Sequence, residues 1–286
     1  MNEKDWELLI TLYEEGTITN TAEKLYISQP ALTYRIKQME KTFQAKIISR
    51  GNKGVTFTNQ GLYLVDYANK MIKELRKTID EIKNIEGEVQ GTLRLGVSSN
   101  FALYKLPLLL EGFLSQYPKV EVSLTTGWSS RILSKLQSEE VHVAILRGEH
   151  NWTGEQLILN EETLCVTSTD KVNIENLPKL NLIRYHTDFH LKNTIENWWK
   201  NKFTMPPQVS MEVDRIETCK ELVRKGLGFG IFPSISLNEE DNFYTVDLEE
   251  DNKKILRKTW LLHRQELLEL NVVNSFVRFI RNHYDV

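Results

Sequence analysis

Apolar side chains recur at helical spacing over residues 5 to 14, where Leu8, Leu9, Leu12 and Tyr13 share one face. After Glu15-Gly16, the run Thr17-Ile18-Thr19-Asn20 offers helix caps, and Ala22 and Leu25 form a second apolar stripe. A new start at Ser28-Gln29-Pro30 opens a third helix carrying Leu32, Ile36 and Met39. Ser28 suits the cap, and Pro30 is tolerated in a first turn whose amides lack partners anyway. Two short helices joined by a tight turn predict a helix-turn-helix. Residues 46–49 and 55–58 are β-branched runs around Arg50-Gly51-Asn52-Lys53-Gly54, which predicts a basic hairpin, the wing of a winged helix.

From Asn59 to Glu86 the pattern predicts one long helix with Thr58 as its cap. Val65, Ala68, Ile72, Leu75, Ile79 and Ile82 alternate by three and four, the seam of a two-helix coiled coil. The alternative is a helix packed on its own domain, but the charged opposite face (Lys70, Lys73, Lys77, Asp80, Glu81) favours the dimer seam. Residues 87–91 hold two glycines and read as a hinge. Beyond them strands and helices alternate: strand 92–97, helix 103–116, strand 120–125, helix 130–138 and strand 142–146, then strand 180–184, helix 190–202, strand 208–213, helix 216–225 and strand 228–232. Such alternation predicts a parallel α/β architecture, and about 200 residues fit two lobes with a cleft better than one. The expected organisation is a DNA-binding domain over 1–58, a linker helix over 59–86, a first lobe from 92–161 with 266–286, and a second lobe over 162–265.

Charge is unevenly placed along the 286 residues, although the net charge is only −3. Residues 28–58 hold six cations against Glu40 alone, whereas residue 87 onward has 23 basic and 27 acidic residues. A basic patch ahead of an acidic body points to a polyanion partner for one end. No apolar run approaches the roughly 18 residues of a membrane span, and the start at Met1-Asn2-Glu3-Lys4-Asp5 does not read as a secretion signal; a cytoplasmic protein is expected. Cys165 and Cys219 are too few for a disulfide framework or a zinc site and read as small buried hydrophobes, with a redox pair as the alternative.

Enzymatic readings find little support. There is no Gly-x-Ser-x-Gly elbow, and Gly226-Leu227-Gly228-Phe229-Gly230 precedes a strand instead of opening a helix, so it cannot cradle a dinucleotide. His186 and His190 are four apart but lack a third ligand, so neither a metal nor a cofactor is expected. A transport-type solute-binding protein would match the back end and leave the front unexplained.

Residues Ala22-Glu23-Lys24-Leu25-Tyr26-Ile27-Ser28-Gln29-Pro30-Ala31-Leu32-Thr33, with Ile36, Met39-Glu40 and Arg50 through Gly61, resemble the signature of LysR-type transcriptional regulators. That resemblance spans the chain: winged helix-turn-helix, coiled-coil linker helix, and a two-lobed Rossmann-like effector domain of the periplasmic-binding-protein type. One departure is Ile47-Ile48-Ser49-Arg50 where the family commonly has Leu-Phe-x-Arg; the arginine is kept. The resemblance implies double-stranded operator DNA as partner, a dimer or dimer of dimers, and RNA polymerase if the protein activates. A recognition helix offers its first turns to base edges, so Gln29, Thr33 and Tyr34 are candidate readers. Arg35, Lys37, Arg50 and Lys53 are candidate phosphate contacts, and Ser28 and Pro30 set geometry.

In that family a small effector lies between the lobes. Carried over by position, the candidates are Ser98-Ser99-Asn100, Trp128-Ser129-Ser130, Arg147 and Thr218. Hydroxyl-rich helix starts with an arginine favour a carboxylate, although each hydroxyl alone is as well read as a helix cap, and Arg147 as the partner of an interlobe acid. Gly127-Trp128-Ser129-Ser130, Ile145-Leu146-Arg147-Gly148, Asp214 to Lys220 and Arg257-Lys258-Thr259-Trp260 are similar to the citrate-responsive catabolite-control branch of low-GC Gram-positive bacteria. That similarity implies a tricarboxylate held by Arg147 and Arg257; a surface strand position is the alternative for Arg257. Another organic acid, an amino acid or a redox signal remains the competing input.

Overall fold

The computed structural model describes residues 1–51, 54–85 and 88–286, and of Arg50, Ile85 and Glu239 only the backbone. Lys53, the side-chain role expected of Arg50, and the start of the expected hinge therefore lie outside the described residues. Two compact units emerge, Met1–Ile85 and Glu86–Val286.

The first unit opens with α1 (Glu3–Glu15), α2 (Ile18–Lys24) and α3 (Gln29–Phe43). Each start has a sequence cause. Asn2 and Asp5 exchange hydrogen bonds in a capping box, Thr17 accepts from the Asn20 amide, and Ser28 Oγ accepts from the Ala31 amide at 3.3 Å. Gly16 ends α1 at φ +66°, where a side chain would be strained. Strands β1 (Ile48–Gly51) and β2 (Gly54–Phe57) pair antiparallel with Ile48 opposite Phe57. Leu8, Leu9, Leu12, Leu32, Ile36, Met39 and Ile47 form the core.

Helix α4 (Asn59–Ile85) begins where Thr58 Oγ1 accepts from the Gly61 amide at 3.0 Å. The expected coiled-coil seam along it divides in two. Val65 and Ala68 are buried within their own unit, Val65 in the helix-turn-helix core, so they belong to the folded domain and not to a free seam. Ile72 and Leu75 are half-buried, and Ile79 and Ile82 are exposed, Ile82 at 60%. The first turns carry the residues that pack in the domain, Leu64, Val65 and Ala68; beyond them Asp80 is the one buried position of the helix among the described residues.

The second unit contains β3 (Gly91–Ser98), α5 (Ser99–Tyr104), α6 (Leu106–Gln116), β4 (Val120–Gly127), α7 (Ser129–Gln137), β5 (Val143–Arg147) and β6 (Glu155–Ser168). There follow β7 (Asn181–Tyr185), α8 (Phe189–Lys202), β8 (Gln208–Val213), α9 (Ile216–Arg224), β9 (Gly230–Pro233) and β10 (Tyr244–Asp247). The short pair β11 (Glu249–Glu250) and β12 (Lys253–Lys254), strand β13 (Leu256–His263) and α10 (Asn271–Tyr284) close the chain. The helix expected over 103–116 is two helices, parted at Lys105 with φ −125°; Pro107 sits in the first turn of α6, where its missing amide costs no helical hydrogen bond.

The expected two-lobed α/β architecture is found, with antiparallel strands added to its parallel ones. Strand β3 pairs parallel with β4 and β5, but β13 runs antiparallel to both β5 and β6. The 14-residue β6 continues into the second lobe, pairing antiparallel with β9 and β10. Strands β7 and β8 pair parallel there. The segment 256–263, expected in the second lobe, hydrogen-bonds along β5 of the first-lobe sheet from Thr259 to His263. Strands β6 and β13 therefore lace the lobes together. Helix α10 closes the first lobe, with Phe276 edge-on to Phe113 at 5.1 Å.

Candidate functional site

In the first unit, Leu32, Ile36 and Met39 bury one face of α3 and leave the other outward. Gln29, Pro30, Tyr34 and Lys37 are exposed on it and Thr33 is half-buried. Arg35 differs from expectation: its guanidinium pairs with Asp5 of α1 at 3.2 Å, so part of its charge ties helix to helix. Tyr26, not singled out from sequence, stands 96% exposed in the turn before α3 at φ +54°. The faces fit the major-groove entry of a recognition helix, with the β1–β2 hairpin beside the helix-turn-helix.

In the second unit the charged residues gather where β5, β6 and β13 meet. Register places Thr259 opposite Arg147 on β5, and Arg257 opposite Glu162 on β6. Arg147, 3% exposed, pairs through Nη2 with Glu162 Oε1. Glu162 also accepts from the Ile235 amide at 2.9 Å. Arg257, 7% exposed, donates to Asp188 at 2.6 Å and to the Arg147 carbonyl at 3.4 Å. Asp188 in turn caps α8, accepting from the Leu191 amide at 3.0 Å. Ser129 Oγ accepts from the Arg147 amide at 3.0 Å.

The two arginines thus come together, each with an acid of its own, and the reading of Arg257 as a surface strand residue falls. For Arg147 the pairing alternative is the one observed. Burial, followed by the Arg257 guanidinium, pushes Arg147 down to about 9, which leaves it charged at neutral pH. Tyr185, at the end of β7, is fully buried, and desolvation raises its hydroxyl against the opposing pull of Arg257.

Four donors of this layer have no hydrogen-bond partner among the described residues: Arg147 Nε, Arg257 Nε, and the hydroxyls of Tyr185 and Thr259; the Ser98 hydroxyl, at the end of β3, is also buried and unpartnered. Buried polar groups are nearly always paired, so a donor-rich layer of this kind suits oxygen acceptors brought from outside. The other expected residues are more open to solvent. Ser99, Ser130 and Thr218 are exposed, Asn100 is half-buried, and Trp128 is 60% exposed at the start of α7. Glu162, Tyr185, Asp188 and Thr259 were missed from sequence; only Asp188, an acid directly ahead of a helical pattern, left a local signal. No group of three metal-binding side chains occurs among the described residues. No described helix is long and apolar enough to cross a membrane.

Comparison with known proteins agrees with this architecture. Residues 4–62 match the model of the bacterial regulatory helix-turn-helix protein, lysR family, and residues 86–285 match the LysR substrate binding domain. The chain is 47% identical over 282 residues to the uncharacterized HTH-type transcriptional regulator YraN of Bacillus subtilis (strain 168), covering 98% of each. YkuM of the same organism, another HTH-type transcriptional regulator, is 35% identical over 100% of this chain and 98% of its own. Among solved structures, full-length CbnR complexed with its target DNA superposes with a TM-score of 0.69 at 18% identity, covering 99% of both chains. The virulence activator AphB of Vibrio cholerae gives 0.66 at 16%, over 99% of this chain and 100% of its own. With both of its units matched, the chain belongs to the LysR family and is a DNA-binding transcriptional regulator, not an enzyme.

Proposed function

We propose that this regulator reads a small carboxylate in the layer around Arg147 and Arg257, and that its occupancy biases DNA binding. The observation that carries the reading is the set of four buried, unpartnered donors, on β5, β7 and β13, around the two paired arginines. A carboxylate supplies two acceptor oxygens, and its bonds to guanidinium are charge-assisted. Citrate is the first acid to test, given the motifs around Arg147 and Arg257. Glu162 and Asp188 already balance the two arginines, so a tricarboxylate must draw an arginine away from its acid, whereas a singly charged acid need not. Binding across laced lobes favours one closure, and lobe angle then sets the spacing of DNA-binding heads.

On the DNA side the proposed readers are Gln29, Thr33 and Tyr34, with Lys37 and the wing cations on phosphates. Ile72, Leu75, Ile79 and Ile82 form the proposed dimer seam, and a dimer of dimers and contact with RNA polymerase extend the same proposal. The test is calorimetric titration of the full-length protein with citrate, pyruvate, malate and glutamate, alongside Tyr185→Phe. That variant removes one unpaired hydroxyl and keeps the ring stacked on Phe232. Saturable binding of one acid, weakened about tenfold in the variant without loss of stability, is expected. Silence across the panel, or unchanged affinity in the variant, overturns the reading.

A further inference from the structure

Strand β7 alternates its side chains between two layers. Ile183 and Tyr185 pack toward α9, whereas Leu182 joins the core beneath α8 with Trp199 and Ile231. On the α8 side lies a cavity of about 710 Å3, within the range that holds a drug-sized molecule. Tyr185 and Thr187 are among its lining residues, so one end of the cavity borders the arginine layer, while its body lies along α8. Its body is apolar, built from Ile195, Trp199, Phe203, Met205 and Pro206.

The charges at its edge are not balanced. Among the lining acids, Glu196 lies 4.0 Å from Lys192, and Glu212 lies 3.5 Å from His186. Arg184 and Lys200 also line the cavity; Glu212 stands opposite Arg184 in the β7–β8 register, but no acid reaches ion-pair distance of Arg184 or Lys200 among the described residues, and the three lining cations Arg184, Lys192 and Lys200 exceed the two lining acids. A single residue of the first lobe, Trp128, completes the lining. Trp128 was an expected effector contact, and the residue after it, Ser129, accepts from the Arg147 amide.

We infer that this cavity is a second ligand site, for an amphipathic organic anion with a flat aromatic body and one carboxylate or sulfonate. The ring lies against Trp199 and Phe203, where aromatic contact adds to plain area burial. Met205 adapts its unbranched chain to the ring edge. The anionic group meets Arg184, whose planar fork matches it with two parallel hydrogen bonds, and Lys200 adds a point charge. Because Trp128 comes from the other lobe, an occupant touches both lobes at once. This second input is chemically unlike a small hydrophilic acid, which gains nothing from the apolar body.

The probe is anilinonaphthalene sulfonate, titrated into the full-length protein and followed by its emission. Its uncharged relative N-phenylnaphthylamine, the same arene without the sulfonate, is run in parallel. Arg184→Gln removes the charge at a half-buried edge position, and Met205→Glu puts a carboxylate at an exposed rim position, so neither disturbs the core. Saturable binding of one sulfonate per chain is expected, weakened about tenfold by Arg184→Gln and lost in Met205→Glu. N-phenylnaphthylamine binding should be unchanged by Arg184→Gln. Absence of saturable binding, or binding that neither variant alters, overturns the site. Equal weakening of both probes by Arg184→Gln overturns the anion specificity.

Discussion

Replacing Glu162 by glutamine tests whether the Arg147 pair is a buried charge pair in the full sense. The amide keeps an oxygen for the Ile235 amide and removes only the charge facing Arg147. A buried cation stripped of its partner ordinarily costs about 3–5 kcal/mol. Arg147 has an escape, because burial and Arg257 push it down to about 9. Shedding its proton at pH 7 then costs about 3 kcal/mol at 1.36 kcal/mol per pH unit, which caps the loss. The sign in pH follows from linkage. Wild-type Arg147 stands at about 9, and loss of the Glu162 charge lowers it further. Below about 9 the folded variant sheds a proton that folded wild type keeps, so the deficit relative to wild type is largest at low pH, shrinks as pH rises toward about 9 and is constant above it. The companion variant Arg147→Met with Glu162→Leu removes both charges and should lie within about 1 kcal/mol of wild type, since buried pairs are often replaceable by apolar groups. Urea unfolding of variant and wild type, both full-length, at pH 6 and pH 9, compared by midpoint, measures all of this. If the single variant is as stable as the double, or its deficit relative to wild type does not shrink between pH 6 and 9, the charge-pair account is wrong.

Gly61→Ala should lower the melting temperature of the first unit, because an added Cβ would stand 2.1 Å from the Ile47 carbonyl oxygen and backbone would have to move; overpacking of this kind costs about 1–3 kcal/mol. Val65→Asp should unfold that unit, burying an unpaired carboxylate, while Ile82→Asp should leave its melting unchanged and shift the light-scattering mass toward monomer; a dimer that survives Ile82→Asp removes the seam. Burial pushes the Cys165 thiol up to about 11 and Cys219 up to about 12, so both should resist a thiol reagent at pH 7.5 in the native protein and react on unfolding. Labelling at the unfolded rate in the native state would restore the redox alternative.

The winged helix was legible because its signals are local. Ser28 followed by Pro30, Gly16 at a positive φ, and apolar residues every three or four positions each act within one turn of helix, so they survive in a string of letters. Likewise the strands from β3 to β5 and the helices between them announce themselves by period and by terminal residues. Strand β13 escaped because its Arg257-Lys258-Thr259 stretch looks like solvated surface, and only pairing with Glu162, Glu161 and Arg147 buries it. For the same reason the partners of Arg147 and Arg257 were invisible. Glu162 and Asp188 are 15 and 69 residues away along the chain from the arginines they neutralise.

By itself the sequence determined the recognition helix, its caps, the hairpin, the long helix and the alternating character of the back end. These depend on side-chain entropy, hydrogen-bond capping and hydrophobic period, all of which are short-range properties of neighbouring residues. Tertiary structure decided which end of the α4 stripe is core and which is free, which acids hold the two arginines, and that Trp128 lines a cavity beneath α8. Burial and charge pairing set those outcomes, and both are properties of residues brought together from distant parts of the chain, whose energies exist only once the lobes have folded.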